Sequence, residues 1–398
     1  MYYITTIMAG TFPTEGYFIH NRVQLIRGGK QYFDSLVNLI NGAKSSIHLQ
    51  MYIVDDDETG MNIIGALMNA AGRGVQVFML LDGYASQVLS RKVVKQIIDS
   101  GIRFRWFEPL FRSPYFYFGR RLHHKVIVVD ACRSLVGGVN ISDRYNDTPG
   151  SDAWLDWAVL AEGEVAGRLF LICQDLWNKS GWGKKKTEKY KLQPALTEPP
   201  ENSCLVRVRR QDWVRRRIEI SASYLEMMEN AREEILMMSS YFLPGRQLRR
   251  SMAAASKRGV RIRMIAAGKS DVMLAKNAER YLYRWLLKNR VELYEYQASI
   301  LHGKISCADG KWATVGSFNI NFISAYASIE LNLDVLDDDF SCTVQNELEE
   351  IISHHCIPIT EQEWSQHYNL FQRAWQKFSY DLIRLIFFLF TFYFKQRR

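Results

Sequence analysis

The chain has no Cys-x-x-Cys pair; its six cysteines, Cys132, Cys173, Cys204, Cys307, Cys342 and Cys356, are scattered along it. That excludes a zinc-ribbon pattern and argues against a disulfide framework, leaving buried thiols of a reducing compartment. His354 and His355 are adjacent and so lack the i, i+4 spacing of a helical zinc pair. No metal and no cofactor are expected. Met1–Phe12 has neither a basic leader nor a long apolar run, so no signal peptide is expected. Nor does any uninterrupted apolar run reach the roughly 20 residues needed to cross a bilayer. An acidic excess is also missing: 51 Lys and Arg stand against 42 Asp and Glu, a net charge of +9. This favours an anionic partner, whether nucleic acid, an anionic membrane or a phosphate-bearing substrate. With 47% apolar and 23% charged residues, the composition is that of a globular protein.

What is present is a duplication. Ser46–Val54 reads as a strand and Ile63–Gly72 as a helix, followed by Arg73-Gly74-Val75 and a second strand. The same order returns as Glu234–Phe242, Leu248–Lys257, Arg258-Gly259-Val260 and a strand. In each case the glycine suits a helix end, where a left-handed residue is needed. Strands alternating with helices imply α/β units on a largely parallel sheet. Between the halves, Asn178–Ser203 has linker composition, with Lys184–Lys186 and Pro194, Pro199 and Pro200. The expected organisation is a first lobe at 1–180, a linker at 181–203, a second lobe at 204–358 and a tail at 359–398.

Each half delivers the same constellation. The first is His123-His124-Lys125, Asp130 and Gly137-Gly138-Val139-Asn140; the second is His302-Gly303-Lys304, Asp309 and Gly316-Ser317-Phe318-Asn319. Histidine and lysine at i and i+2 on a strand share a face, so both can meet one phosphate. The asparagine follows a glycine turn that permits close backbone approach. Asp130 and Asp309 belong to the motif, but strand alternation turns them to the opposite face and makes them structural. Two copies at matching places make chance an inadequate explanation. His124 could line the site or simply pack.

The doubled H-x-K-x4-D pattern resembles the phospholipase D superfamily. From Asn21 to Cys356 the chain is similar, within it, to bacterial cardiolipin synthases of the B type, with supporting stretches at Asn21–Leu25, Leu80–Tyr84, Trp154–Asp156 and Tyr241–Gly245. Gly138 departs from the serine often found there. The resemblance implies two similar lobes with the active site at their interface. It also implies phosphatidyl transfer through a covalent phosphohistidine, with phosphatidylglycerol and other anionic phospholipids as substrates. His123 would be the nucleophile and His302 the acid and base, in an order that the symmetry of the motifs does not itself decide. Lys125, Lys304, Asn140 and Asn319 would hold phosphate oxygens, while Asp156 and Glu330 would orient the histidines across the lobe interface. Gly138, Ser317, Arg120 and Arg121 are candidate substrate contacts.

Phe111–Leu122 interleaves aromatics with Arg112, Arg120 and Arg121, as suits a membrane interface or, less well, a nucleic-acid strand. Arg207, Arg209, Arg210 and Arg215–Arg217 form a further basic patch that a solvated face would also explain. Leu382–Phe394 is apolar and aromatic, closed by Lys395, Arg397 and Arg398, which suits interfacial anchoring. Peripheral or monotopic placement on the cytoplasmic side of a bacterial membrane is expected. Two alternatives stand beside phosphatidyl transfer: a phosphodiesterase acting on phospholipid or nucleic acid, and a non-catalytic membrane scaffold, against which every motif position is intact.

Overall fold

The computed structural model describes residues 12–109, 120–180, 203–362, 364 and 369–395, with side chains up to 386. Most of the expected linker and the aromatic stretch 110–119 therefore lie outside the described residues.

The first half contributes β1 (Phe18–Arg27), α1 (Lys30–Asn41), β2 (Ser46–Met51), α2 (Glu58–Gly72), β3 (Gln76–Asp82), α3 (Arg91–Asp99), β4 (Arg103–Phe107), the short β5 (Arg121–Leu122), β6 (Lys125–Val129), β7 (Arg133–Gly137), β8 (Trp157–Gly163) and α4 (Glu164–Lys179). The second contributes β9 (Cys204–Asp212), β10 (Arg217–Ile218), α5 (Glu219–Asn230), β11 (Glu234–Ser239), α6 (Arg246–Lys257), β12 (Arg261–Ala267), α7 (Met273–Lys288), β13 (Val291–Tyr296), β14 (Lys304–Ala308), β15 (Trp312–Gly316), α8 (Phe322–Tyr326), β16 (Ser328–Leu336), α9 (Asp338–His355) and β17 (Cys356–Ile359). A last helix, α10, spans Leu370–Lys395.

The halves repeat strand for strand. In the first, β2–β3 and β3–β4 pair in parallel, while β2–β6, β6–β7, β7–β8 and β8–β1 are antiparallel. In the second, β11–β12 and β12–β13 are parallel, while β11–β14, β14–β15, β15–β16 and β16–β9 are antiparallel. The sheet is thus mixed, with a smaller parallel share than the strand–helix alternation suggests. The reason is local: β6 and β7, like β14 and β15, are joined by tight turns, which only antiparallel strands allow. β1 also pairs with β9, joining the two sheets edge to edge. Asn21 secures that seam, its amide donating to Cys204 O and its oxygen accepting from Val165 N. At the ends of α2 and α6, Gly74 and Gly259 take φ of 90° and 95°, the left-handed residues the repeat calls for.

Each lobe buries its own core, one around Leu36, Leu49, Ile64 and Val77, the other around Met227, Ile235, Met264 and Leu286. A third core is shared between them: Trp157, Val159, Leu169 and Phe170 pack with Leu236, Met238, Ile305 and Leu331. Burial of that size, about 25 cal/mol per Å² of apolar surface, holds the lobes as one body, so groups from opposite lobes can meet with fixed geometry. The cysteines form no disulfide among the described residues. Cys173, Cys204 and Cys307 are buried, but Cys342 on α9 is exposed, which corrects the expectation that all six are internal.

Candidate active site

Each motif histidine sits two residues before its strand, held by the backbone of the opposite lobe. His123 N–H donates to Ile329 O (3.0 Å), and His302 N–H donates to Leu155 O (2.8 Å). The parallel pairing of β5 with β16 and the bridge between Leu155 and Leu301 make the same exchange on either side.

The side chains cross over as well. His123 Nδ1 lies 2.7 Å from Glu330 Oε2, which comes from β16 of the second lobe. His302 Nδ1 lies 2.6 Å from Asp156 Oδ2, at the entrance to β8 of the first. Both carboxylates are buried. A carboxylate on Nδ1 fixes the tautomer with Nδ1–H, leaving Nε2 as the reactive nitrogen. Lys125 and Lys304 are buried beside their histidines. Lys125 Nζ donates to His123 O (3.1 Å); Lys304 Nζ donates to His302 O and lies 3.5 Å from Asp156 Oδ2. Lys304 Nζ is also 2.7 Å from His302 Nδ1, a nitrogen already committed to Asp156, so the lysine's useful partners there are oxygens. Asn140 Oδ1 accepts from Ile53 N–H, and Asn319 Oδ1 accepts from the Ser240 hydroxyl. With the oxygens engaged, the donor end of each amide is what the site can present to an anion.

Gly138 and Ser317 occupy equivalent turns. The Ser317 hydroxyl donates to Glu330 Oε2 and accepts from Leu331 N–H. A Cβ on Gly138 would lie 2.3 Å from Asp156 Oδ1. The departure from serine at 138 thus has a steric cause: the shorter carboxylate of Asp156 lies over the turn itself.

Burial drives the electrostatics. It lowers His123 below the ordinary imidazole range, against the opposing pull of Glu330, and lowers His302 to about 3, with Lys304 adding to the effect. Burial brings Lys125 down to about 7 and also lowers Lys304. It pushes Glu330 upward, but His123, Lys125 and Ser317 outweigh it and hold the carboxyl below its usual range. Lys304 acts on His123 and Lys125 acts on His302, so the half-sites share one field. In the free site both imidazoles are neutral, as a nucleophile must be. An anion bound between the lysines would favour the cationic forms.

Several motif residues are not brought to this point. Asp130 accepts from the N–H groups of Lys44, Ser45 and Ser46, and Asp309 from those of Arg232, Glu233 and Glu234. The two motif aspartates are turn anchors rather than catalytic groups, facing away as strand alternation predicts. Arg120 is buried in ion pairs with Glu108 and Asp212, and Arg121 bonds Asp82 and Glu108 O. The Arg120 guanidinium is fully engaged by these carboxylates, whereas Arg121 keeps a buried Nε without a partner. His124 is buried against Gln50 Oε1 (3.1 Å) and pushed down to about 4 by burial. In the basic patch, Arg207 and Arg209 bind Asp334 and Glu226, and Arg210 pairs with Glu219. These three form an internal ion network rather than an anion-binding face.

Some neighbours lie outside the doubled motif. The Tyr52 ring meets His123 edge-on at 4.6 Å and receives Lys125 at 4.9 Å. Tyr145 OH lies 3.5 Å from His302 Nε2, and Trp154 flanks the same imidazole. Asp82 Oδ2 accepts from Leu122 N–H (2.8 Å), bracing the residue before His123.

A family model described as "Cardiolipin synthase, PLD-like domain" matches residues 36–150 and 224–352, one match in each lobe. The chain belongs to this family. It is 33% identical over 346 residues to cardiolipin synthase B of Escherichia coli K12, covering 86% of this chain and 83% of that one. It is 28% identical to the cardiolipin synthase of Geobacillus thermodenitrificans, over 87% and 69% of the two chains. Among solved structures, phosphatidylserine synthase of Haemophilus influenzae aligns with a TM-score of 0.71 at 15% identity, covering 94% of this chain and 96% of that one. At that identity the match shows the shared two-lobed fold.

Proposed function

We propose that the protein makes cardiolipin, transferring a phosphatidyl group from one phosphatidylglycerol to the terminal hydroxyl of another with release of glycerol. Membership of the family makes the chain a phosphatidyltransferase; the donor, the acceptor and the covalent route are the proposal. The observation that carries it is the reciprocal exchange of carboxylates, Glu330 to His123 and Asp156 to His302, which builds one site from two half-motifs.

In the proposed reaction His123 Nε2 attacks phosphorus, and the glycerol oxygen leaves with a proton from His302. The acceptor hydroxyl then attacks the phosphohistidine and returns its proton to His302, and the P–N bond breaks. Lys125, Lys304 and the amides of Asn140 and Asn319 stabilise the non-bridging oxygens as charge builds. Protonation of His302 comes with the bound phosphate, because in the free site that imidazole is neutral. The assignment of His123 as nucleophile rests on the family resemblance. Membrane association, on the cytoplasmic side, accompanies the lipid substrate; among the described residues no helix is long and apolar enough to cross a bilayer.

The test is to incubate the full-length protein with phosphatidylglycerol in detergent and analyse the products by mass spectrometry. Cardiolipin and glycerol in equal amounts, absent with His123→Ala, support the proposal. Phosphatidic acid without cardiolipin would replace it with hydrolysis.

A further inference from the structure

α10 begins well before the apolar terminal segment, and its first half has three distinct sides. One side is docked: Gln376, Ser379 and Tyr380 are buried, and Tyr380 with Ile383 packs on Leu243, Ala278, Tyr281 and Leu282, mostly of α7. A second side carries Arg373 over Trp364, Arg384 over Tyr380, and Lys377 paired with Asp381 at 3.0 Å. The third is apolar and is left uncovered by the described residues. Phe371 is 87% exposed, Trp375 and Phe378 each 53%, and Leu385 53%. At 100° per residue these four, with Leu382 between them, fall within about 45° of one direction.

Large apolar side chains at i, i+4, i+7 and i+14, left in water while the neighbouring face is buried, mark a contact surface. We infer that this stripe is the protein's seat on an anionic lipid surface, with α10 lying in the interfacial plane. The inference rests on the phospholipid reading of the active site. Three features select a lipid surface over a second copy of the chain. The stripe is rich in aromatics, which favour the headgroup boundary. On the side beyond its edge, Arg373 and Arg384 carry charges that suit headgroup phosphates, whereas Lys377 is paired with Asp381. It also leads, along the sequence, into the apolar segment closed by Lys395, Arg397 and Arg398. Because the opposite side of α10 is fixed to α7, the seat is rigid relative to the second lobe. It therefore sets the orientation of the catalytic site, as well as its residence at the lipid.

The test compares the full-length wild type with a Trp375→Ser, Phe378→Ser, Leu385→Ser variant, whose changes lie on exposed positions. Sedimentation with vesicles of phosphatidylglycerol and phosphatidylcholine should show partitioning of the variant reduced at least about tenfold. Cardiolipin synthesis should fall on vesicles and stay within about twofold of wild type in detergent micelles. Equal sedimentation and equal vesicle activity would overturn the inference. So would a wild type that is dimeric by light scattering and a variant that is monomeric, which would make the stripe a protein interface. If the wild type itself makes no cardiolipin in detergent, the functional proposal fails; unequal vesicle binding would still be read from the sedimentation alone.

Discussion

Replacing Glu330 with glutamine tests the crossed carboxylates at the lowest structural cost. The amide keeps the shape of a side chain that is fully buried, and its NH2 falls at Oε2, the atom that both His123 and the Ser317 hydroxyl meet. It removes the negative charge 2.7 Å from His123 Nδ1. Two effects follow. The imidazole loses the acceptor that holds Nδ1–H, and Lys125, whose ammonium is supported by Glu330 against burial, is driven further toward its neutral form. A charge-assisted hydrogen bond of this kind contributes about 1.5–3 kcal/mol, and loss of the correct tautomer costs as much as about 10⁴ in kcat where a buried carboxylate orients a catalytic imidazole. The expected loss is about 10²–10⁴ in kcat, with far-ultraviolet circular dichroism unchanged. Asp156→Asn should do the same through His302, and the double variant should lose much less than the product of the two, because both act on one transition state. A loss under tenfold in both single variants would refute the reasoning.

Gly138→Ser places atoms where Asp156 Oδ1 now lies and should cost about 100-fold in activity, whereas Ser317→Gly removes one hydrogen bond to Glu330 and should cost about tenfold; steady-state rates distinguish them. Asp130→Ala and Asp309→Ala should each lower stability by about 1–2 kcal/mol in urea titrations, since each frees three backbone N–H groups, with activity per folded molecule unchanged. Asp130 is held below its usual range by those bonds, although burial opposes them; its contribution is present above the unfolded carboxylate value and is lost as pH falls through the folded one. Lys125 titrates at about 7 in the free site, so kcat/KM should fall as pH rises above that value. The kcat should hold to higher pH because the bound phosphate favours the ammonium; a flat kcat/KM to pH 9 would contradict this.

The duplication was legible because it is written in local patterns: the helix-ending glycines at 74 and 259, the paired histidine–lysine spacing and the glycine turns all survive in one dimension. The motif aspartates' orientation was legible too, since strand alternation alone predicts it. The fates of Arg120, Arg207 and Arg209 were not. A run of arginines looks like an anion site until the fold supplies Asp212, Glu226 and Asp334 from distant segments. Tyr52 and Tyr145 approach the histidines only through tertiary packing, and no spacing rule marks them. The apolar stripe of α10 was half visible: Leu382 onward stands out by density, while Phe371, Trp375 and Phe378 are diluted by polar neighbours and emerge only when one side of the helix is seen to be buried.

The central claim is that the two half-motifs act on one phosphate through a covalent enzyme intermediate. It is tested most directly by quenching the enzyme rapidly during turnover of ³²P-labelled phosphatidylglycerol and mapping protein-bound phosphorus by mass spectrometry under conditions that preserve phosphohistidine. The account predicts a phosphatidyl group on the peptide holding His123, lost in His123→Ala and retained in His302→Ala. Cardiolipin formed with no protein-bound phosphorus at any quench time, or label carried by His302 instead, would contradict it.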